Sequence, residues 1–319
     1  FWLTVKILIM SLLLVGTGYM GKEYAKVLRA IKLPFYVVGR SKGSVEKFKN
    51  ETGIPATFGG IENWLRTNKA PQKAIVAATE DQLGIVARQL IKAGCKKILV
   101  EKPGGFDIKD IKSVASEAKK HKTRVFVGYN RRFYASTLAA LEIVKKEGIS
   151  SFNFDFTERS YVVEKAPQSA KIKKEWFIQN STHVIDMAFF LGGWPKKMHS
   201  LKRGKLKWHP AGAIYAGTGA TNTEALFSYH ANWESAGRWS IEVMTKKSKL
   251  IFRPLEKLQI QKYGSMAIDD YPIDDKLDID FKPGLYRQVE SFLNNKKHLP
   301  TIGEQVARLK HYAQIQKSI

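Results

Sequence analysis

The chain has 319 residues, room for two domains at the usual ~100–200 residues each, with 44% hydrophobic and 26% charged residues. That composition excludes a disordered polymer, a collagen-like repeat and a disulfide-stapled miniprotein, and the single cysteine, Cys95, excludes an intramolecular bridge and any site built on clustered thiolates. The net charge is +24, carried by 40 Lys against 13 Arg scattered along the chain. Base readout leans on Arg forks, so scattered Lys points to a solvated surface, and no nucleic-acid partner is expected.

Residues 1–15, FWLTVKILIMSLLLV, are nearly all apolar apart from Lys6. The run stops at Gly16, short of the ~20 apolar residues that cross a membrane, and leads directly into a glycine motif. We expect a cytoplasmic protein with no membrane association, with Met10-Ser11 a candidate natural start.

Short apolar runs then alternate with helical patterns. Residues 12–15 read as a strand buried on both faces, and 22–31 as a helix with Ala25, Leu28 and Ile31 on one side. Strands are predicted at 35–38, 73–78, 97–100 and 124–127, and helices at 45–51, 82–93 and 108–121. This alternation argues for a doubly wound parallel sheet over residues 1–128. Beyond it lie one more helix, 135–147, and then strands of period two. Phe152, Phe154 and Phe156 share one face of a strand, and 223–231, 239–244 and 249–252 alternate similarly. Helices are predicted at 181–191, 285–293 and 303–317. Residues 129–319 are thus expected to form an α+β domain with a large, mostly antiparallel sheet. The densest basic run, 196–207, carries six basic residues and no acid, and reads as loop and strand edge.

Three motifs carry chemistry. Gly16-Thr17-Gly18-Tyr19-Met20-Gly21 follows a buried strand and opens a helix. In that setting the glycines permit a tight turn, a close approach of backbone to a diphosphate, and close helix–strand packing, as in a Rossmann dinucleotide site. The second strand ends Gly39-Arg40-Ser41-Lys42, without the acid that would grip a ribose 2′-hydroxyl. Arg40 and Ser41 can pair with a 2′-phosphate, which favours NADP(H), with NAD(H) left open; an ordinary basic turn, or Arg40 stacked on adenine, is the plainer alternative. Glu101-Lys102-Pro103-Gly104-Gly105 closes the fourth strand at its carboxyl end, where ligands of such sheets bind. A Lys beside an oxidised nicotinamide is expected to have its pKa lowered and to serve as a proton shuttle, against the plainer alternative of a surface Lys in a turn.

The succession GTGYMG, AATEDQ (77–82), VEKPGG, VGYNRRF (127–133) and STHVIDMAFFLGG (181–193) resembles the glucose-fructose oxidoreductase / inositol dehydrogenase / MocA family. The resemblance runs from about residue 11 to the C-terminus, and its most specific element is the Glu-Lys-Pro tripeptide. It implies a Rossmann domain followed by an α/β domain with an open sheet, and hydride exchange between nicotinamide C4 and a sugar, polyol or nucleotide sugar. Residue by residue it implies Lys102 and His183 as catalytic groups and Arg131 in the substrate pocket. Tyr129, Trp176, Gln179 and Asn180 are further candidates there. Ala78, Thr79, Glu101 and Lys102 join the glycine motif, Arg40 and Ser41 around the cofactor.

Two positions depart from the family. The acid four residues before the histidine is Gln179 here, which cannot hold a charge. Thr79-Glu80 stands for a threonine-proline pair, and Gly84 for the histidine that follows it. Without the family, His183 is a lone histidine on an apolar helix, more often a core residue, with Asp186 one turn on to brace the ring or cap the helix. The other histidines lack ligand spacing, so no metal is expected. Of the five tryptophans after residue 129, Trp176 is expected at the pocket, and Trp194, Trp208, Trp233 and Trp239 in sheet core or subunit interface. A C-terminal sheet with two apolar-rich sides and helices for only one predicts a homodimer or homotetramer through that sheet. The alternative function is a catalytically impaired dinucleotide-binding sensor or scaffold.

Overall fold

The computed structural model describes residues 12–317, and the N-terminal run 1–11, with the question of Met10, lies outside them. The chain forms two compact units: the residues up to Tyr129 together with Leu285–Ala307, and Asn130–Gly284 together with Arg308 onward. The expected division at 128 therefore describes the first crossing, while 285–307 returns to the first unit.

The first unit is a five-stranded sheet of β1 (Leu12–Val15), β2 (Tyr36–Val38), β3 (Lys73–Val76), β4 (Lys97–Glu101) and β5 (Arg124–Gly128), in the order β2-β1-β3-β4-β5. Every pairing is parallel. The crossovers carry α1 (Tyr19–Ala30), α2 (Lys42–Thr52), α3 (Gly60–Thr67), α4 (Leu83–Lys92) and α5 (Ile108–Lys120). Helix α3 has no counterpart in the sequence prediction; it buries only Ile61 and Trp64 and is entered through Gly59 and Gly60 at positive φ. Strands β1 and β4 are buried on both faces, which is why they read as unbroken apolar runs. The strand order reverses between β1 and β3, so their carboxyl ends frame the crevice where doubly wound sheets bind ligands. Residues 285–307 return because Val127 N–H donates to the Pro300 carbonyl (2.8 Å) and Phe126 bridges Thr301 beyond β5. The apolar spacing of 285–293 announces a helix but not which sheet it covers.

The second unit begins with α6 (Ala135–Glu147), β6 (Ile149–Asp155), α7 (Ser160–Lys165) and α8 (Ala170–Lys174). A π-helical turn (Phe177–Ser181) then leads into α9 (Thr182–Gly192). Seven strands follow: β7 (Pro195–Arg203), β8 (Ile214–Thr221), β9 (Leu226–Asn232), β10 (Ser240–Thr245), β11 (Ser248–Phe252), β12 (Gln259–Lys262) and β13 (Asp269–Asp270). With β6 they make one sheet, ordered β13-β12-β11-β10-β6-β9-β8-β7, antiparallel except between β6 and β9. Its inner face is aromatic. Phe152 stacks on Phe227 and Phe154 on Tyr229, both at 5.5 Å, and Phe189 of α9 meets Phe152, Phe154 and Phe227 edge-on. Each buried aromatic is worth about 1.5–3 kcal/mol of transfer free energy, so this face holds α9 in place.

The outer face corrects one expectation. The register sets Gln259, Ile251, Glu242, Asn153, Ser228, Thr218 and His199 in a single cross-strand row. That row is mostly polar, Ile251 excepted, because β6, β9, β10 and β11 largely alternate buried and less buried residues along each strand. Among the described residues the outer face is thus less apolar than the sequence suggested, with Leu201 and Leu226 exposed on it and Met244 and Ile251 half-buried. The basic run lies where expected: Lys196 and Lys197 are exposed on β7, an edge strand, where charge discourages further strand pairing.

Candidate active site

The first unit supplies a cradle made of backbone. Gly16 sits at φ +125°, and a Cβ there would meet the Ala77 carbonyl oxygen at 2.2 Å, so only glycine passes between β1 and β3. A Cβ at Gly21 would lie 2.1 Å from the Gly16 carbonyl oxygen, whereas one at Gly18 would meet nothing within 4 Å. Gly18 caps α1 without a side-chain hydrogen bond, and the first turn of α1 holds no acid. The open space over Gly18 and this uncapped helix start fit a diphosphate.

At the end of β2, Arg40 is exposed and Ser41 caps α2, its Oγ accepting from Ser44 N–H (3.3 Å). Thr17 Oγ1 donates to Ser44 Oγ (3.1 Å), and α2 too starts without an acid in its first turn. After β3, the exposed Thr79 donates through Oγ1 to Asp81 (2.7 Å), while Ala78 is half-buried. Burial pushes the Asp81 carboxyl up, but the bonds from Thr79 and Gln82 and the Arg40 charge outweigh it and hold the group below its usual range. Asp81 beside Arg40 had no signal in the sequence.

Lys102 is half-buried at the carboxyl end of β4. Its neighbour Glu101 accepts from the Tyr24 hydroxyl of α1 (2.5 Å), which in turn accepts from Gln288 Nε2 (2.8 Å). Burial and the Glu101 charge raise the Tyr24 pKa well above its ordinary value, so it stays a neutral donor. Glu101 thus ties the lysine's strand to the glycine helix. Tyr129, a pocket candidate, is fully buried, and its hydroxyl accepts from Gln305 Nε2 (2.9 Å). The departure at Gly84 has a local cause: the Asp110 carboxylate would stand 2.0 Å from any Cβ there. Asp110 pairs with Arg88 and accepts from Phe106 N–H (2.8 Å).

The second unit supplies a cluster made of side chains. The π-helical turn sets Gln179 and Ser181 in the interior and leads to His183, 8% exposed. Such turns widen a helix by one residue and recur at functional sites. The His183 ring lies 6.3 Å from Trp239, and the Arg131 guanidinium lies 4.9 Å from the same indole and 5.9 Å from Tyr134. Trp239, expected in core or interface, therefore belongs with the candidate residues. Trp176 packs edge-on to Trp208, which stacks on Trp233. Asp186 is held by Arg132, which takes both its oxygens at 2.6 Å in a pair almost wholly buried. Glu158 escaped the sequence analysis altogether. Its carboxylate is 6% exposed and accepts from Asn180 Nδ2 (3.0 and 3.1 Å) and Ser181 Oγ (2.7 Å). Among the described residues no group of three or more His, Cys, Asp or Glu could hold a metal ion, and no helix is long and apolar enough to cross a membrane.

A doubly wound sheet with an uncapped glycine cradle, followed by a unit built on a large antiparallel sheet, defines a Rossmann-type dinucleotide-binding protein with a second α+β unit. Residues 10–129 match the model of the oxidoreductase family with an NAD-binding Rossmann fold. Over this segment the match agrees with the resemblance to the glucose-fructose oxidoreductase / inositol dehydrogenase / MocA family. No curated protein matches the chain. Among solved structures, an oxidoreductase from Agrobacterium radiobacter in complex with NAD+, L-tartaric acid and magnesium superimposes with TM-score 0.78 at 12% identity, covering 97% of this chain and 95% of that one. Levoglucosan dehydrogenase with NADH and levoglucosan gives 0.78 at 15% identity, covering 96% of each chain. UDP-N-acetylglucosamine 3-dehydrogenase from Acidithiobacillus ferrooxidans gives 0.74 at 15%, again covering 96% of each. At these identities the likeness is one of fold.

Proposed function

We propose that the protein is a nicotinamide-dependent oxidoreductase exchanging a hydride with a hydroxyl or carbonyl carbon of a sugar, polyol or nucleotide sugar, with NADP(H) preferred over NAD(H). The observation that carries it is the open space over Gly18 at an uncapped helix start, in a sheet whose next ligand-facing strand end bears Lys102. Further support comes from the family match over residues 10–129 and from neighbours in fold that act on levoglucosan and UDP-N-acetylglucosamine. The preference for NADP(H) is supported by Arg40, Ser41 and Ser44 at an acid-free start of α2, although Asp81 offsets part of the Arg40 charge.

When bound, the nicotinamide would supply a hydride acceptor or donor at C4. Thr17, Gly18, Tyr19, Met20 and Gly21 would hold the diphosphate, with Ala78 and Thr79 beside it. Lys102 would hold the reacting oxygen and stabilise charge developing there, and His183 would take or return its proton, the roles the family resemblance implies. Arg131, Trp176, Gln179 and Asn180 would orient the sugar, with Trp239 as an apolar wall. Calorimetric titration with NADPH and NADH, then single-turnover cofactor fluorescence with a panel of sugars, polyols and nucleotide sugars, tests it. Turnover with any of them is expected. Tight cofactor binding without turnover on the whole panel would favour the sensor alternative.

A further inference from the structure

Glu158 is a carboxyl group withdrawn from water directly after β6, in a chain that lacks the expected acid at position 179. A buried carboxyl is costly unless its oxygens find donors, and here they find them all in one place. Asn180 Nδ2 reaches both oxygens, and Ser181 Oγ donates to Oε1. Both donors belong to the π-helical turn that leads into the helix of His183. The charged group facing Glu158 is Arg131, itself spread over the Trp239 and Tyr134 rings; Arg159, the next residue in the chain, is exposed.

We propose that Glu158 is the acid of this cluster, a positioning residue that sets, through Asn180, which hydrogen-bonding group the cluster turns toward a ligand hydroxyl. The position of Glu158 and its hold on Asn180 stand independently of the function proposed above, while the sugar hydroxyl as ligand rests on it. An ionised carboxylate is acceptor-only. It therefore commits the Asn180 amide nitrogen inward and leaves the Oδ1 acceptor for a ligand hydroxyl, while also balancing the Arg131 charge. A protonated Glu158 carries its own donor, so the amide can turn over, place Oδ1 inward and offer its NH₂ instead, with Arg131 no longer balanced. Both states are accessible near neutrality. Burial pushes the Glu158 pKa up, the bonds from Ser181 and Asn180 and the Arg131 charge pull it back, and the balance lies at about 7. Glutamine at 158 would fill the same space without the titration, so shape alone does not explain the glutamate.

The test uses the full chain and needs no substrate. The side-chain amide ¹⁵N–¹H resonances of Asn180, assigned by their loss in Asn180→Asp, are followed from pH 5.5 to pH 8.5, a window of about 1.5 units on either side of the Glu158 midpoint. They are expected to shift with a midpoint near 7 in the wild type and to stay still in Glu158→Gln. Resonances that do not move in the wild type, or that move equally in Glu158→Gln, overturn the proposal. If Glu158→Gln fails to fold, Glu158→Asp serves: the shorter carboxyl should displace the midpoint, and an unchanged one overturns the proposal equally. The KM of the best sugar from the panel, measured over the same pH range, should inflect in the wild type and be flat in Glu158→Gln, with affinity for NADPH unchanged by the variant. An unchanged KM profile in Glu158→Gln overturns the link to ligand. Absence of turnover with every sugar counts against the oxidoreductase function alone, because the resonance shift is read without it.

Discussion

The cradle of the first unit and the cluster of the second are built from different materials. Around Gly16, Gly18 and Gly21 the binding surface is backbone, shaped by side chains that are missing: carbonyl oxygens stand where two Cβ atoms would be, and open space stands where the third would be. Around His183 it is side chain, with Arg131, Glu158, Trp176, Asn180 and Trp239 brought together from four places along the chain. A backbone site is specified by a few adjacent residues and tolerates almost any neighbours. A side-chain site exists only once the sheet register and the π-helical turn have placed its members, so substitutions in it should change recognition before they change folding.

That contrast can be broken most sharply at Lys102. Lys102→Ala should leave NADPH affinity nearly intact while slowing single-turnover hydride transfer ~10²–10⁴-fold, the usual worth of a positioned acid–base group. Next in size is the interior that supports the cluster. Arg132→Met leaves the Asp186 carboxylate buried, with Arg308 3.9 Å away, and should cost about 3–5 kcal/mol in denaturant unfolding. In the cradle, Arg40→Asp should weaken NADPH much more than NADH in calorimetric titration, by about 1.5–3 kcal/mol or more for a lost charge-assisted contact, and equal wild-type affinities would remove the ground for the NADP(H) preference. A pH effect of similar or smaller size belongs to His311. Burial beside Trp194, with some help from the Lys310 charge, pushes its pKa down to about 4. The unfolded chain takes up that proton first, so the stability His311 contributes is complete above about pH 6.5 and is lost as pH falls from there toward 4. Thermal melts of His311→Gln should show a shallower decline over this window. Smallest is the outer face of the sheet, where Lys249→Ala breaks a half-exposed pair with Glu242 and should change stability by no more than about 1 kcal/mol.

The legibility of the sequence divides along the same line. The five parallel strands, four of their crossover helices and the glycine cradle are visible in it because each depends on residues within a turn or two of one another. Helix α3 was hidden by its two buried residues and its entry through paired glycines. In the second unit, Phe152, Phe154 and the other alternating strands announce a one-sided sheet; its polar side escaped notice because the aromatic residues dominate each run. Glu158 and Trp239 carry no motif, and the partners that give them meaning lie between 22 and 108 residues away along the chain. The Arg132 pair with Asp186 spans 54 residues, which is why a helical one-turn spacing pointed to His183 instead.

The crowding at Gly84 couples that position to Asp110. The Asp110 carboxylate occupies the space a side chain at 84 would need, while holding Arg88 and the Phe106 amide. Restoring the family histidine at 84 alone is a clash, and emptying 110 alone is an unpaired guanidinium and a cavity. A side chain at 84 requires the Asp110 carboxylate to move off Arg88 and the Phe106 amide, so substitutions at 84 and 110 are expected to be coupled rather than additive.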